Sequence, residues 1–168
     1  ARPHKGLEEL VEALQLLNRP DVILVLVGAE TNSYTNQLKA CGRDKVMIIG
    51  MQPFHKVPEF LSMADLVVLP QREVPSTAGQ IPAKLFDAMA MGKPIIATRV
   101  SDLPEILHGC GLIVEPSDTR ALSDSIRYLI ENEQEAQKLG SNARQKCVRE
   151  YSWDAMERIL IPIFDRCC

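Results

Sequence analysis

The stretch VILVLVGAETNSYTNQLKACGRDKVMIIG (residues 22–50) decides the fold class. It begins with a continuous apolar run over 22–27, and such runs are typical of parallel strands that are buried on both faces. A weak helical pattern follows over 32–42, with Gly42 as its expected end. A second apolar run occupies 46–49. A strand, a helix and a second strand of these lengths predict a right-handed crossover within a parallel sheet.

The same alternation of strand and helix patterns continues on both sides of this stretch. It predicts further helices at 6–17, 57–63, 82–91, 117–132, 133–150 and 153–166, the last interrupted at Pro162, and further strands at 65–69, 95–98 and 112–114. Such alternation predicts an α/β fold, a doubly wound parallel sheet in one Rossmann-like domain that spans residues 1–168. Ligands of such sheets bind beyond the carboxyl ends of the strands, which here are the segments 28–31, 50–54, 70–84 and 98–102.

The composition excludes several classes of function. The 168 residues carry 19 basic and 22 acidic side chains, a balance that argues against a duplex nucleic acid as partner. No apolar run approaches the roughly 20 residues needed to span a bilayer, so no membrane insertion is expected. The five cysteines lack a CxxC spacing and the three histidines lie far apart, which argues against a metal site. The odd cysteine count favours a reducing, cytoplasmic compartment, with at most peripheral contact with the inner face of a membrane.

The loop and helix start STAGQIPAKLFD (residues 76–87) is the stretch richest in chemistry. Gly79 allows a ligand to approach the backbone closely. The free N–H groups of the predicted helix start favour an anion such as a phosphate. Lys84 and Asp87 are three residues apart and share one helix face, which suits a ligand with both phosphates and sugar hydroxyls. The alternative is a mere surface ion pair beside a helix start.

Arg2 and Lys5 form a second group of cations, directly before the first predicted helix. Two cations at this position could clamp a diphosphate. The alternative is that both are solvated charges near a chain end. The chain lacks the GxGxxG and GxxxxGK[ST] fingerprints of dinucleotide and NTP binding, so any nucleotide site is of another type.

Several motifs, taken in order, resemble one known family. The segments AKLFDAMAMGKPIIAT (83–98), SDLPEIL (101–107) and GLIVEPSDTRALSDSI (111–126) resemble the C-terminal domain of GT-B glycosyltransferases of the retaining group 1, or family 4. HKGLEELVEAL (4–14) and KLGSNARQKCVREYSW (138–153) fit the same family. The resemblance implies a domain that binds a nucleotide-sugar donor. It also implies that an N-terminal domain of the parent chain binds the acceptor, so this chain is expected to bind nucleotide without turning over alone.

The resemblance assigns roles to the two groups of cations. Lys5 is expected to contact the diphosphate, with Arg2 assisting, and Asp87 stands where the family binds the ribose hydroxyls with a carboxylate. Many members carry a further Glu, which contacts the sugar, where this sequence has Gly79. The pattern of Gly79, Pro82 and Lys84 instead resembles a branch in which Lys84 joins in phosphate binding. Lys5, Lys84 and Arg2 are therefore the expected catalytic groups, which stabilise the departing diphosphate.

The remaining expected donor contacts lie on four loops. The amides of Gly79, Gln80 and Ile81 are expected to line the sugar and phosphate, and Glu73 could replace the missing acid. Met51 and Gln52 match the position at which the family holds the base, and Gly28 and Glu30 could line the same pocket. The family retains the anomeric configuration and typically needs no bound metal, so no cofactor is expected.

Three other functions stay open at this point. A nucleotide-sugar epimerase or a phosphorylase shares the GT-B layout, although an epimerase would carry more acid and base groups in its cleft. A non-catalytic nucleotide-binding module would bind nucleotide whether or not a sugar is attached. An α/β domain without a ligand would be stabilised by no nucleotide.

The resemblance also predicts an irregularity in the sheet. The family's domain begins with a strand that precedes the segment holding Arg2 and Lys5 and that lies centrally in the order 3-2-1-4-5-6. This sequence begins after that strand. We therefore expect either further residues upstream in the parent protein or a gap in the middle of the sheet, where backbone groups would be unpaired.

Overall fold

A computed structural model describes residues 2–165 of the chain, so Arg166, at the end of the last predicted helix, lies outside the described residues. The helices are α1 (Leu7–Leu17), α2 (Ser33–Gly42), α3 (Val57–Met63), α4 (Lys84–Ala90), α5 (Leu103–Ile106), α6 (Thr119–Glu131), α7 (Glu133–Lys146) and α8 (Trp153–Asp165). The strands are β1 (Leu24–Val27), β2 (Val46–Ile49), β3 (Val67–Leu69), β4 (Ile95–Thr98) and β5 (Leu112–Val114). Short 3-10 turns occur at Pro3–Lys5, Arg43–Lys45 and Phe54–Lys56, and a π-helical turn at Cys147–Tyr151.

All strand pairs are parallel, and they form two sheets. β1 pairs with β2, with Leu24 opposite Val46, and the second sheet has the order β3-β4-β5. Within residues 2–165 no ladder joins the two sheets. The order is that of the expected six-stranded sheet without its first, central strand. The described residues therefore leave a gap at the position of that strand, which is one of the two expected arrangements.

The buried centre of the protein is β4, which has helices on both of its faces. Ile95 and Ala97 pack with α4 and α5 on one face, while Ile96 packs with α1 and α6 on the other. Side chains on a strand alternate between the two faces of the sheet. The arrangement confirms the doubly wound α/β fold.

The prediction that β1 is buried on both faces is wrong. Val25 and Val27 are 40% and 39% exposed, and Met47, opposite Val25 on β2, is also exposed on that face. Only the other face, with Leu24 and Leu26, packs against α1 and α2. None of the hydrophobic clusters in the described part of the chain includes the exposed side chains, so a two-stranded sheet is covered on one side only.

Three details of the predicted helices need correction. Gly42 is the last residue of α2, but its φ is −79° and the left-handed residue is Arg43, at φ 54°. A Cβ on Gly42 would lie 2.1 Å from Val46 Cγ2, so close packing requires the glycine. α4 begins at Lys84 rather than at Pro82, which only precedes it in a turn. α8 continues through Pro162, where the segment is exposed and solvent can reach the carbonyl that loses its hydrogen bond.

Two further glycines mark places where backbones touch. Gly6 adopts φ 66°, and a Cβ there would lie 1.7 Å from the carbonyl oxygen of Pro70. Gly140 lies inside α7, and a Cβ there would lie 2.1 Å from the carbonyl oxygen of Gly92. These contacts fix α1 against the end of β3, and α7 against the end of α4.

We expect Gly140→Ala to destabilise the protein, although alanine is favoured over glycine within a helix by about 1 kcal/mol. The added methyl group overlaps the Gly92 carbonyl, and overpacking of this kind costs about 1–3 kcal/mol. Urea unfolding followed by circular dichroism measures the change. Ser141→Ala, on an exposed position of the same helix, is the matched control and should change stability little. A Gly140→Ala protein as stable as the wild type would contradict the packing of α7 on α4.

Candidate functional site

Two of the predicted cations meet at one cavity. The cavity has a volume of about 50 Å³ and is lined by Lys5, Lys84, Gln71 and Pro82, together with Leu7 and the edge of β3. The pKa of Lys5 is lowered by burial and then by the positive charges of Lys84 and Arg2. A lysine with a lowered pKa beside two other cations favours an anionic ligand, because the anion would relieve the repulsion.

The N-terminal segment is held in place against the end of β3. The Pro3–Lys5 turn is closed by a hydrogen bond from the Lys5 amide to the carbonyl of Arg2 (3.0 Å). Gly6 then packs directly on Pro70, and the Arg72 amide donates to the carbonyl of His4 (3.1 Å). Lys5 therefore reaches the cavity from a segment fixed on both sides.

Arg72 joins this segment to the loop between β3 and α4, and the sequence patterns did not identify it. Its guanidinium contacts the Glu9 carboxylate through Nε (2.5 Å) and Nη2 (3.0 Å), and Nη2 also lies 3.1 Å from Glu8 Oε2. The Tyr34 hydroxyl donates to the same Glu8 oxygen (2.8 Å). The hydrogen bond to Glu9 raises the pKa of Arg72, whereas burial and then the bond to Glu8 raise the pKa of Tyr34.

The loop between β3 and α4 is ordered by the buried side chain of Thr77. Its hydroxyl lies 2.7 Å from the carbonyl oxygen of Arg72 and accepts from the amide of Val74 (3.1 Å). Gln80 then donates its amide to the Thr77 carbonyl (3.1 Å). Of the expected sugar-lining residues, Gly79 is exposed with φ 70°, and Glu73 and Gln80 are exposed on the same loop, whereas Ile81 packs against the core.

The start of α4 differs from the expected set of free amides. The amides of Leu85 and Phe86 donate to the carbonyls of Pro82 and Ala83 (both 2.9 Å), because a turn precedes the helix. Lys84 and Asp87 lie on this helix, one turn apart, and in the described part of the chain no ion pair joins them. The described residues thus lack the Lys84–Asp87 ion pair that the alternative supposed.

Asp87 is half-buried and faces the π-helical turn. Burial is the main cause that raises the pKa of the Cys147 thiol, and the charge of Asp87 adds to the rise while Arg144 opposes it. Cys147 also lies near the carbonyl of Phe86 (3.7 Å), so the turn packs along α4. Asp87 is therefore partly covered by this turn.

The predicted base-binding residues come together at the ends of β1 and β2. The Gly28 amide donates to the carbonyl of Ile49 (2.9 Å), and the position of a Gly28 Cβ would be 4.0 Å from the sulfur of Met51. Met51 is exposed, and Gln52 donates to the carbonyl of Gly50 (3.3 Å). Glu30 is also exposed, and its carbonyl accepts from the Thr35 hydroxyl (2.9 Å). The exposed ring of Phe54 follows at the end of the predicted segment 50–54, although no role was assigned to that side chain.

Two further observations concern the described residues as a whole. Residues 2–165 contain no cluster of three or more His, Cys, Asp or Glu side chains able to hold a metal ion. Among the same residues, no helix combines the length and the apolar character needed to cross a bilayer.

The sequence of the chain is similar to the sequences of known glycosyltransferases. The profile of the family described as glycosyl transferases group 1 matches residues 1–146. An MMP alpha-(1->4)-mannosyltransferase of Mycolicibacterium hassiacum is 28% identical over 98% of this chain and 40% of its own length. An N-acetyl-alpha-D-glucosaminyl L-malate synthase of Bacillus anthracis is 30% identical over 89% of this chain and 39% of its own length. The chain thus spans less than half of the length of the curated relatives that it matches.

Solved structures share the fold. A C-terminal domain of a group 1 glycosyl transferase (LpcC) from Francisella tularensis superposes with a TM-score of 0.76 at 26% identity, covering 91% of this chain and 83% of that domain. Anabaena Alr3699/HepE, solved in complex with UDP, gives a TM-score of 0.86 at 22% identity, covering 98% of this chain and 46% of its own. At that identity the second likeness shows the fold alone. The likeness to the LpcC domain supports a Rossmann-like fold of the kind found in the C-terminal half of GT-B proteins.

We expect Lys84→Met to raise the pKa of Lys5 towards the usual range of a lysine, because the substitution removes a neighbouring positive charge. At a pH between the lowered and the usual pKa, Lys5 is protonated in the unfolded chain but not in the folded protein. The free energy of unfolding therefore rises with pH in this interval, and the substitution should make that rise smaller. NMR titration of lysines labelled with ¹³C at Cε measures the pKa. Lys39→Met, on an exposed position of α2, is the control. An unchanged Lys5 titration in Lys84→Met would mean that the two ammonium groups do not share the cavity.

Proposed function

The chain belongs to the family of glycosyl transferases group 1, and on that premise we propose that it supplies the donor-binding half of a retaining glycosyltransferase. Its substrate would be a nucleotide-diphosphate sugar. The observation that carries the proposal is the convergence of Lys5 and Lys84 on one cavity at the carboxyl end of β3. Ligands of doubly wound sheets bind at this end.

The two lysines suit the chemistry of the leaving group. When the bond between the anomeric carbon and the diphosphate oxygen breaks, negative charge grows on the diphosphate. Lys5 and Lys84, with Arg2 nearby, would stabilise that charge, and the partial burial of Lys5 strengthens its attraction relative to water. The reaction needs no metal if these cations carry this role, and we propose none.

The other donor groups follow from the position of α4. Lys84 and Asp87 are neighbours on one helix face, so a diphosphate on the lysine places the ribose near the Asp87 carboxylate, whose two oxygens can accept from both ribose hydroxyls. The base would then lie towards Met51 and Gln52, with Gly28 and Glu30 beside it. The sugar would lie along Gly79, Gln80 and Ile81, with Glu73 at the rim.

The observations above do not specify which base the donor carries or which acceptor receives the sugar. A relative from Corynebacterium glutamicum is named for its dependence on GDP-mannose, and Anabaena Alr3699/HepE was solved with UDP, so the relatives differ in nucleotide. We propose that a further, N-terminal domain of the parent chain binds the acceptor. The chain alone would then bind nucleotide without turnover.

Thermal shift with UDP, GDP, ADP, TDP and their sugar conjugates tests the proposal. A nucleotide present at a hundredfold excess over its Kd should stabilise the chain by about 2.7 kcal/mol. We expect one base to be preferred, and Lys84→Met and Asp87→Asn to weaken binding about tenfold or more. A sugar conjugate should shift the melting temperature more than the free diphosphate does.

Lys39→Met and Asp65→Asn, at exposed positions away from the cavity, are the matched controls. Equal shifts from nucleotide and nucleotide-sugar would favour a non-catalytic nucleotide-binding module. No shift with any nucleotide would contradict the proposed donor site.

A further inference from the structure

We propose that Arg72 is a positioning residue that fixes the spacing of Lys5 and Lys84 without touching the ligand; the inference rests on the proposed function for the identity of that ligand, a nucleoside diphosphate. Arg72 bonds both to the N-terminal segment that carries Lys5 and to the loop that leads to Lys84. These two segments are distant in the sequence, and their contact at Arg72 is therefore a tertiary one.

The side chain of Arg72 is committed to the first turn of α1. Two parallel contacts to the Glu9 carboxylate, at 2.5 and 3.0 Å, have the forked geometry that fixes orientation as well as distance. The third contact, to Glu8, closes a network with the Tyr34 hydroxyl of α2. Because the guanidinium is shared among these carboxylates, it holds the start of α1, and with it the Lys5 turn, rather than an incoming phosphate.

The main chain of Arg72 holds the two neighbouring segments. Its amide donates to the carbonyl of His4, the residue directly before Lys5 (3.1 Å). Its carbonyl oxygen lies 2.7 Å from the hydroxyl of the buried Thr77, which orders the loop as far as Gln80. A displacement of Arg72 would therefore move the Lys5 turn and the approach to α4 relative to each other.

Arg72 also neutralises two carboxylates at the start of α1. Glu8 and Glu9 are adjacent in the first turn of that helix, directly after the Lys5 turn, and both contact the guanidinium. Without Arg72 the two like charges would repel each other in that turn, so the position of the turn would be less well fixed.

The test compares a nucleoside with its diphosphate in the same variants. The ratio of the Kd of the preferred nucleoside to the Kd of its diphosphate isolates the phosphate contribution. Arg72→Lys keeps the charge but loses the forked geometry, and we expect it to lower this ratio about tenfold while the nucleoside Kd stays within twofold. Glu9→Gln should act in the same direction. Arg127→Lys, which alters an exposed Arg127–Asp124 ion pair on α6, is the matched control and should leave the ratio unchanged.

A double-mutant cycle separates positioning from general destabilisation. In a Lys5→Met background, Arg72→Lys should cause little further loss, because Arg72 acts through Lys5. Additive losses would overturn the inference, as would an unchanged ratio in both Arg72→Lys and Glu9→Gln. A fall in the affinities of nucleoside and diphosphate by the same factor would indicate a structural role alone and would also overturn it.

A readout without nucleotide keeps the inference testable if the proposed function fails. Lys84→Met should shift the Lys5 titration in the wild-type background and shift it less in the Arg72→Lys background, because the two ammonium groups would no longer be held together. Absence of nucleotide binding by the wild type would contradict the proposed function only. If Lys84→Met changed the Lys5 pKa equally in the wild-type and the Arg72→Lys backgrounds, the positioning role would be overturned.

Discussion

The packing of α1 is the constraint on which the arrangement of the two sheets depends. Leu10, Leu14 and Leu17 pack into the cluster that covers the three-stranded sheet, whereas Val11 packs into the cluster beneath β1 and β2. Within residues 2–165 no backbone ladder joins the sheets, whereas α1 contributes buried side chains to the clusters of both. Full burial of one such side chain contributes about 1.5–3 kcal/mol, so each of these contacts favours the observed position of α1.

The site inherits its geometry from the same helix. α1 begins at Gly6, whose contact with Pro70 leaves no room for a side chain, and the Lys5 turn directly precedes it. The first turn of α1 supplies Glu8 and Glu9 to Arg72. The element that joins the sheets thus also determines where Lys5 meets the loop after β3. A site built on a helix that packs on both sheets is more rigid than one built on loops alone.

The features that the sequence predicted depend on neighbouring residues, whereas the features that it missed depend on contacts between residues far apart in the sequence. β2, β4, β5 and α3 have the predicted bounds, because apolar periodicity and flanking glycine or proline are local signals. The exposure of Val25 and Val27 depends on which elements cover a sheet face, which no local pattern records. The pairing of Arg72 with Glu9, 63 residues away in the sequence, depends on topology in the same way. The resemblance to a known family predicted the meeting of Lys5 with Lys84, because it carries information on the assembled fold.

The electrostatics of the cavity follow from these contacts. Burial, Lys84 and Arg2 all disfavour the charged form of Lys5, so part of the folding free energy is spent on holding cations together. A bound anion reverses the sign of that interaction and raises the pKa of Lys5, and binding near the lowered pKa would therefore be accompanied by proton uptake. The forked contact of Arg72 with Glu9 holds the start of α1, and the turn that carries Lys5 directly precedes that helix.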